Sequence, residues 1–208
     1  MTFLSTQQIV LASSNIGKIK EIQAILAKHV IVPQSAFNVT DADETGSTFV
    51  ENAIIKARHA AFHSQLPAIA DDSGLVVDAL MGAPGVISAR YAGIGASDQD
   101  NVQKLLAALE GVPESQRTAR FICVMVFMEH DNDPTPLIAQ GVWEGLITTQ
   151  AIGSQGFGYD PVFWVPSQQC TSAELSATVK NALSHRGQAL QSLSRLIKGL
   201  PIWDGTLA

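Results

Sequence analysis

Two apolar runs constrain this chain more than anything else in it: Thr118–Met128 and Leu137–Thr148, joined by the polar turn His130–Pro136. Their Val, Ile, Phe, Trp and Leu content over about ten residues each reads as two long neighbouring strands. A lone two-stranded ribbon is marginal in water, so the rest of the chain must supply more strands and a covering layer. Ile9–Ala12 and Val30–Pro33 read as short buried strands, Phe163-Trp164-Val165 as another, and Ala68-Ile69-Ala70 as a strand that stops at Asp71-Asp72-Ser73-Gly74. Ile16, Ile19, Ile22 and Leu26 fall at helical spacing. Thr48-x-x-Glu51 has the form of a capping box opening a helix to about Ser64. Ser97–Asp100 caps a helix reaching Leu109, with Gly111 as its stop, and Thr171-x-x-Glu174 repeats the capping-box form before a helix to about Asn181. A last helix spans His185–Lys198 and ends at Gly199, while the Gly- and Ala-rich stretch Met81–Gly95 reads as irregular. The expected class is α/β, a mixed sheet flanked by helices, in one domain over residues 1–208; strand order stays open.

Composition narrows the partners. With 46% hydrophobic and 15% charged residues the chain can bury a core, and the composition argues against disorder. The formal net charge of −6 argues against a nucleic-acid partner, whose phosphates demand a basic surface, but permits a small anion in a local cationic pocket. No apolar run has the ~18–20 residues that span a bilayer, and Met1–Gln8 lacks the regions of a signal peptide. Cys123 and Cys170 show no metal-ligand spacing, and Cys123 reads as a small core residue. A cytoplasmic, membrane-free protein is expected.

Four segments carry chemistry. Ser13-Ser14-Asn15-Ile16-Gly17-Lys18 joins a strand to a helix, whose N–H groups and dipole suit a phosphate. It lacks the second glycine and the Ser/Thr of a Walker A loop, and from the residues alone an ordinary cap with a solvated lysine is the plainer reading. Asp41, Asp43 and Glu44 form an acidic loop, and Asp71-Asp72 an acidic pair. Adjacent carboxylates on a turn invite a cation or a proton, and Mg²⁺ takes one or two carboxylates plus phosphate oxygens; an Asp-rich turn is the plainer alternative. Gly153–Pro161 sets Phe157 and Tyr159 in a glycine-rich loop, either to stack on a base or to cover the core. Lys180 and Ser184-His185-Arg186-Gly187 sit at a helix–helix junction, as phosphate or carbonyl donors or as a solvated basic turn.

Taken together, Ser13–Lys18, Glu44-Thr45-Gly46 with Phe49-x-Glu51-Asn52-Ala53-x-x-Lys56-Ala57, Ala70–Leu75, Gly82-Ala83-Pro84-Gly85 with Ser88-Ala89-Arg90-Tyr91, Gly156–Pro161 and Ser184–Gly187 resemble the inosine triphosphate pyrophosphatase, or Ham1-like, family, in order from residue 9 to about 198. The resemblance implies an elongated mixed sheet in two lobes with a central cleft, a homodimer, and Mg²⁺-dependent hydrolysis of ITP, dITP and XTP to monophosphate and pyrophosphate. It implies Ser13, Ser14, Asn15, Ile16, Gly17 and Lys18 on the triphosphate with Lys56 nearby. Asp72 would be general base and, with Asp43, metal ligand, supported by Glu44 and Asp71. Ser73, Phe157, Gly158, Tyr159, Asp160, Lys180, His185 and Arg186 would contact the nucleotide, with Phe157 on the base. Two positions depart from the pattern: Ser13-Ser14 stands where many members have Thr-Gly, and Asp43 where many have Glu. A haloacid-dehalogenase-like phosphatase would need Asp-x-Asp rather than adjacent Asp71 and Asp72; a nucleotide sensor without turnover would not need the base Asp72.

Overall fold

The computed structural model describes residues 8–13, 18–19, 22–23 and 26–199. Its elements are β1 (Gln8–Leu11), β2 (Val30–Pro33), α1 (Phe49–Ser64), β3 (Ala68–Val77), α2 (Asp98–Ala108), β4 (Thr118–Met128), β5 (Leu137–Ile147), β6 (Phe163–Val165), β7 (Cys170–Thr171), α3 (Ala177–Leu183) and α4 (His185–Gly199). The strands form one mixed sheet in the order β2-β1-β3-β4-β5-β6-β7. β1 runs parallel to β2 and β3, and every later pairing is antiparallel. The expected α/β class and the long β4–β5 pair are therefore as the sequence reads.

β3 departs from expectation. It continues through the acidic pair to Val77, in register with β4 from Ala68↔Met128 to Val77↔Ala119. The polar residues interrupt the apolar run, but their amides and carbonyls still join the ladder, so the strand does not end where the hydrophobicity does. A second correction falls at Thr171: its capping box with Glu174 forms, yet opens only one 3₁₀ turn. The helix that follows begins afresh at Ser176, whose side chain accepts from the Val179 amide. The boxes at Thr48/Glu51 and Ser97/Asp100 open α1 and α2 as expected.

The β3 register decides what each face carries, because successive side chains alternate. Ala68, Ala70 and Asp72 face α1, whose Ala53, Ala57, Ala60 and Ala61 form a small, buried stripe that lets the helix sit close. Ile69, Asp71, Ser73 and Leu75 face the other way, where α4 packs Ala189, Leu190 and Leu193 against Cys123, Met125 and Ala139. Gly141 on β5 lies directly under α4, and a Cβ there would meet the His185 carbonyl and the Ala189 nitrogen. Beyond this first core, the far ends of β3–β5 build a second one from Leu75, Val77, Phe121 and Trp143 with Phe163 of β6, Leu105 of α2 and Leu109 just past its end. Cys123 is fully buried, and its thiol is pushed up to about 12 by that burial.

Candidate active site

β1 pairs with β3 only as far as Leu11↔Ile69, with one further bond from the Ala12 amide to the Ile69 carbonyl. Past that point β3 has no strand partner on this edge among the described residues until Leu75, whose amide donates to Ser88 Oγ at 2.9 Å, and Asp71 and Asp72 lie in the notch between. On the α1 side, Lys56 Nζ donates to Asp72 Oδ1 at 2.9 Å and to Glu44 Oε1 at 2.8 Å, so one ammonium joins the acidic loop to the strand. Arg90 reaches the other Glu44 oxygen at 3.4 Å. Burial pushes the Asp72 carboxyl above its usual value even with Lys56 beside it. Burial works the same way on Glu44, but Lys56 and Arg90 outweigh it and hold that carboxyl low.

On the opposite face, Asp71 is 2% exposed and accepts from Lys18 Nζ at 2.8 and 2.9 Å and from Ser73 Oγ at 3.0 Å, with Arg186 Nε 3.7 Å away. Burial would raise its carboxyl, yet Lys18 and Arg186 keep it well below the usual carboxylate range. The acidic pair is thus not a repelling turn: alternation sends the two carboxylates to different faces, each with its own cations.

Two cavities flank this stretch of β3. One, of about 710 Å³, is walled by Ser13, Lys18, Asp43, Glu44, Lys56 and Asp71. The other, of about 600 Å³, runs from Ser73 and Leu75 past Phe121 to the Gln155–Asp160 loop and the α3–α4 junction. From Asp71 to Leu75 the strand covers roughly 13 Å at ~3.3 Å per residue. That lays a chamber lined by charges of both signs and an apolar one end to end.

In the second chamber Phe157 is 61% exposed, with Lys180 Nζ 5.1 Å and Arg186 Cζ 5.8 Å from its ring centre. Tyr159, by contrast, is 4% exposed, packs in the core and donates to the Ser88 carbonyl at 2.8 Å. It is not free to stack on a base; of the two loop aromatics only Phe157 is. Asp160 is equally committed: it accepts from the Phe157 amide and Ser172 Oγ, both at 2.8 Å, and from Lys180. It shapes the loop and anchors Lys180. The Gly158 amide donates to Asp98 Oδ2 at 2.7 Å, tying the loop to the start of α2. His185 stacks on Phe121 with ring centres 4.8 Å apart, and its Nδ1 is buried without a partner. Burial, then Arg186 and Lys180, push the imidazole down to about 3, so it is neutral at physiological pH.

The structure therefore gathers Ser13, Lys18, Lys56 and Asp43 around one chamber, with Asp72 bound to Lys56 but not on its wall, and Ser73, Phe157, Gly158, Tyr159, Asp160, Lys180, His185 and Arg186 around the other. Ser14, Asn15, Ile16 and Gly17 lie outside the described residues. Among the described residues Lys56 joins Glu44, not Asp43, to Asp72. Sequence reasoning gave no role to Asn52, which donates to Asp72 Oδ2 at 3.3 Å, nor to Arg90. Asn52 and Lys56 are one helical turn apart and share a face, and that spacing was the available signal.

The family profile described as the Ham1 family matches residues 9–196. The dITP/XTP pyrophosphatase of Photobacterium profundum is 62% identical over 193 residues, covering 92% of this chain and 98% of its own. A HAM1 protein from Coxiella burnetii superposes with a TM-score of 0.90 at 55% identity, covering 94% of this chain and all of that one. A nucleoside-triphosphatase / dITP/XTP pyrophosphatase from Mycobacterium abscessus gives 0.75 at 38% identity, over 89% and 98% of the two chains.

Proposed function

The chain belongs to the Ham1 family, and from that premise we propose that it hydrolyses non-canonical purine nucleoside triphosphates. Its substrates are dITP, XTP and ITP, and its products the monophosphate and pyrophosphate, which clears these nucleotides from the pool. The observation that carries this reading is the pair of chambers set along Asp71–Leu75, one charged and one apolar, with an exposed aromatic at the apolar end.

Lys18, Lys56 and Arg90 supply positive charge around the triphosphate, where charge develops as pyrophosphate departs. Asp72 takes the proton of the attacking water, and burial moves its carboxyl towards the range in which a general base is effective. The donor set fits Mg²⁺: Glu44 and Asp72 present hard carboxylate oxygens around one ammonium. Among the described residues no group of three or more His, Cys, Asp and Glu forms a closed metal cage. That suits an ion that takes one or two carboxylates and completes its shell with water and substrate phosphate. Asp72 with Glu44 would hold it, Asp43 lying on the same wall, and it would offset charge on the leaving group.

At the other end Phe157 stacks on the base. Neutral His185, with Nδ1 buried and unpartnered, suits an uncharged base edge better than a phosphate. Arg186 donates to the 6-oxygen that inosine and xanthosine carry and adenosine lacks. The enzyme works as a cytoplasmic homodimer: Met81, 98% exposed, is apolar surface for a second copy to cover. No described helix is long and apolar enough to cross a membrane. A monomer in sedimentation at micromolar concentration would refute the dimer.

Hydrolysis of a nucleotide panel in ¹⁸O-water tests the main reading. Label should enter the monophosphate and not the pyrophosphate, with dITP and XTP favoured over ATP by about a hundredfold in kcat/KM. Orthophosphate as first product would refute it. Asp72→Asn should lose ~10²–10⁴ in kcat with its fold intact, and an enzyme keeping more than about a tenth of its rate would remove Asp72 from the base role.

A further inference from the structure

We propose that Asn52 is a positioning residue that fixes the Asp72 carboxylate and the acidic loop in a single arrangement for the reaction, an inference that rests on Asp72 being the base. Asn52 is completely buried on α1, in a stretch otherwise filled by alanine. A buried carboxamide costs desolvation that an alanine or leucine avoids, unless its polar atoms have partners. Here both ends do. Oδ1 accepts from the Gly46 amide at 2.8 Å, and Nδ2 donates to Asp72 Oδ2 at 3.3 Å. The orientation of the amide is not arbitrary, because a backbone N–H can only donate and an ionised carboxylate can only accept.

The consequence is a three-part clamp. Lys56 Nζ holds Asp72 Oδ1 at 2.9 Å and Asn52 holds Oδ2, so both oxygens are oriented from one face of α1. The loop end is brought in by the same amide, and it comes close because residue 46 is glycine. A Cβ there would lie 2.7 Å from Asn52 Oδ1 and 2.6 Å from Glu51 Cβ. Glu44, two residues before that glycine, is in turn bound to Lys56. The capping box of Thr48 and Glu51 locks the helix start between these contacts. One carboxamide thereby sets the separation between the strand carboxylate and the loop carboxylate.

Two isolating variants separate this from a purely structural role. Asn52→Asp keeps the volume and an acceptor for Gly46, but turns an oxygen towards Asp72. Asn52→Ala removes both contacts. Each should lose on the order of 10²-fold in kcat, the cost of a misplaced reacting group, with KM for dITP much less affected. In the metal-free protein the Gly46 amide should stay protected from hydrogen exchange in Asn52→Asp and lose protection in Asn52→Ala. If Asn52→Asp loses less than about tenfold in kcat, or loses in KM alone, the positioning role is overturned. The same holds if the Gly46 amide exchanges equally fast in wild type and Asn52→Ala. Asp72→Asn, run in parallel, tells the two readings apart. An inactive Asp72→Asn beside an active Asn52→Asp refutes only the clamp, whereas an active Asp72→Asn removes the base itself.

Discussion

Gly141→Ala adds one methyl group at the point where α4 rests on the sheet, and its effect follows from the contacts there. The new Cβ would fall on the His185 carbonyl oxygen, 2.9 Å from that carbonyl's carbon and 2.7 Å from the Ala189 nitrogen. All three are backbone atoms, so no side chain can rotate away, and ordinary contact begins at 3.4 Å. α4 must therefore retreat by roughly an ångström from a core in which Ala189, Leu190 and Leu193 are fully or almost fully buried. Overpacking of this kind costs about 1–3 kcal/mol, which in a protein of this size lowers Tm by roughly 2–12 °C. The same retreat carries His185 and Arg186, the first residues of α4, away from Phe121, Asp71 and the apolar chamber. A displacement near 1 Å costs on the order of 10²-fold in rate. Thermal unfolding and steady-state kinetics with dITP on the same preparation check both halves. A variant with unchanged Tm and unchanged kcat/KM would show that α4 is not seated as described; a lowered Tm with full activity would show that its seating does not set the site.

Phe157→Ala should leave Tm unchanged, since the ring is largely exposed, but raise KM for dITP by about 5- to 150-fold through lost base stacking of ~1–3 kcal/mol; a lowered Tm with unchanged KM would make Phe157 a core residue instead. His185 should make the protein acid-sensitive. Its folded pKa lies at about 3, below the unfolded value of 6.5, so the unfolded chain binds the proton that the native state refuses. Stability from this group is complete above the unfolded value and is lost as pH falls below it, at up to about 1.36 kcal/mol per unit. At pH 5 the loss is therefore about 2 kcal/mol. Denaturant unfolding at pH 7 and pH 5 should show it in the wild type, and His185→Phe, which preserves the ring stack on Phe121, should lessen it. Equal acid losses in the two proteins would refute the assignment.

What the sequence determined by itself is what short stretches decide alone. The Thr48/Glu51 and Ser97/Asp100 boxes form because each satisfies its own helix start within four residues. The long β4–β5 pair follows from two apolar runs and the polar turn between them. The motifs held many of the residues that line the chambers, because each sits on one short segment, but Asn101, Phe121 and Leu175 come from stretches that no motif marked. Tertiary structure decided what depends on a distant partner. Asp71 and Asp72 look like one acidic pair in the sequence, but pairing with β4 extends β3 through them and alternation sends them to opposite faces. Phe157 and Tyr159 are two aromatics of one glycine-rich loop, and only the Ser88 carbonyl, 71 residues away in the chain, makes one of them core and leaves the other exposed. Thr171 and Glu174 form their box, but packing allows only a single turn before the chain bends towards α3. Local hydrogen bonds are encoded where they are made; the face, partner and exposure of a side chain are fixed only once remote segments have packed against it.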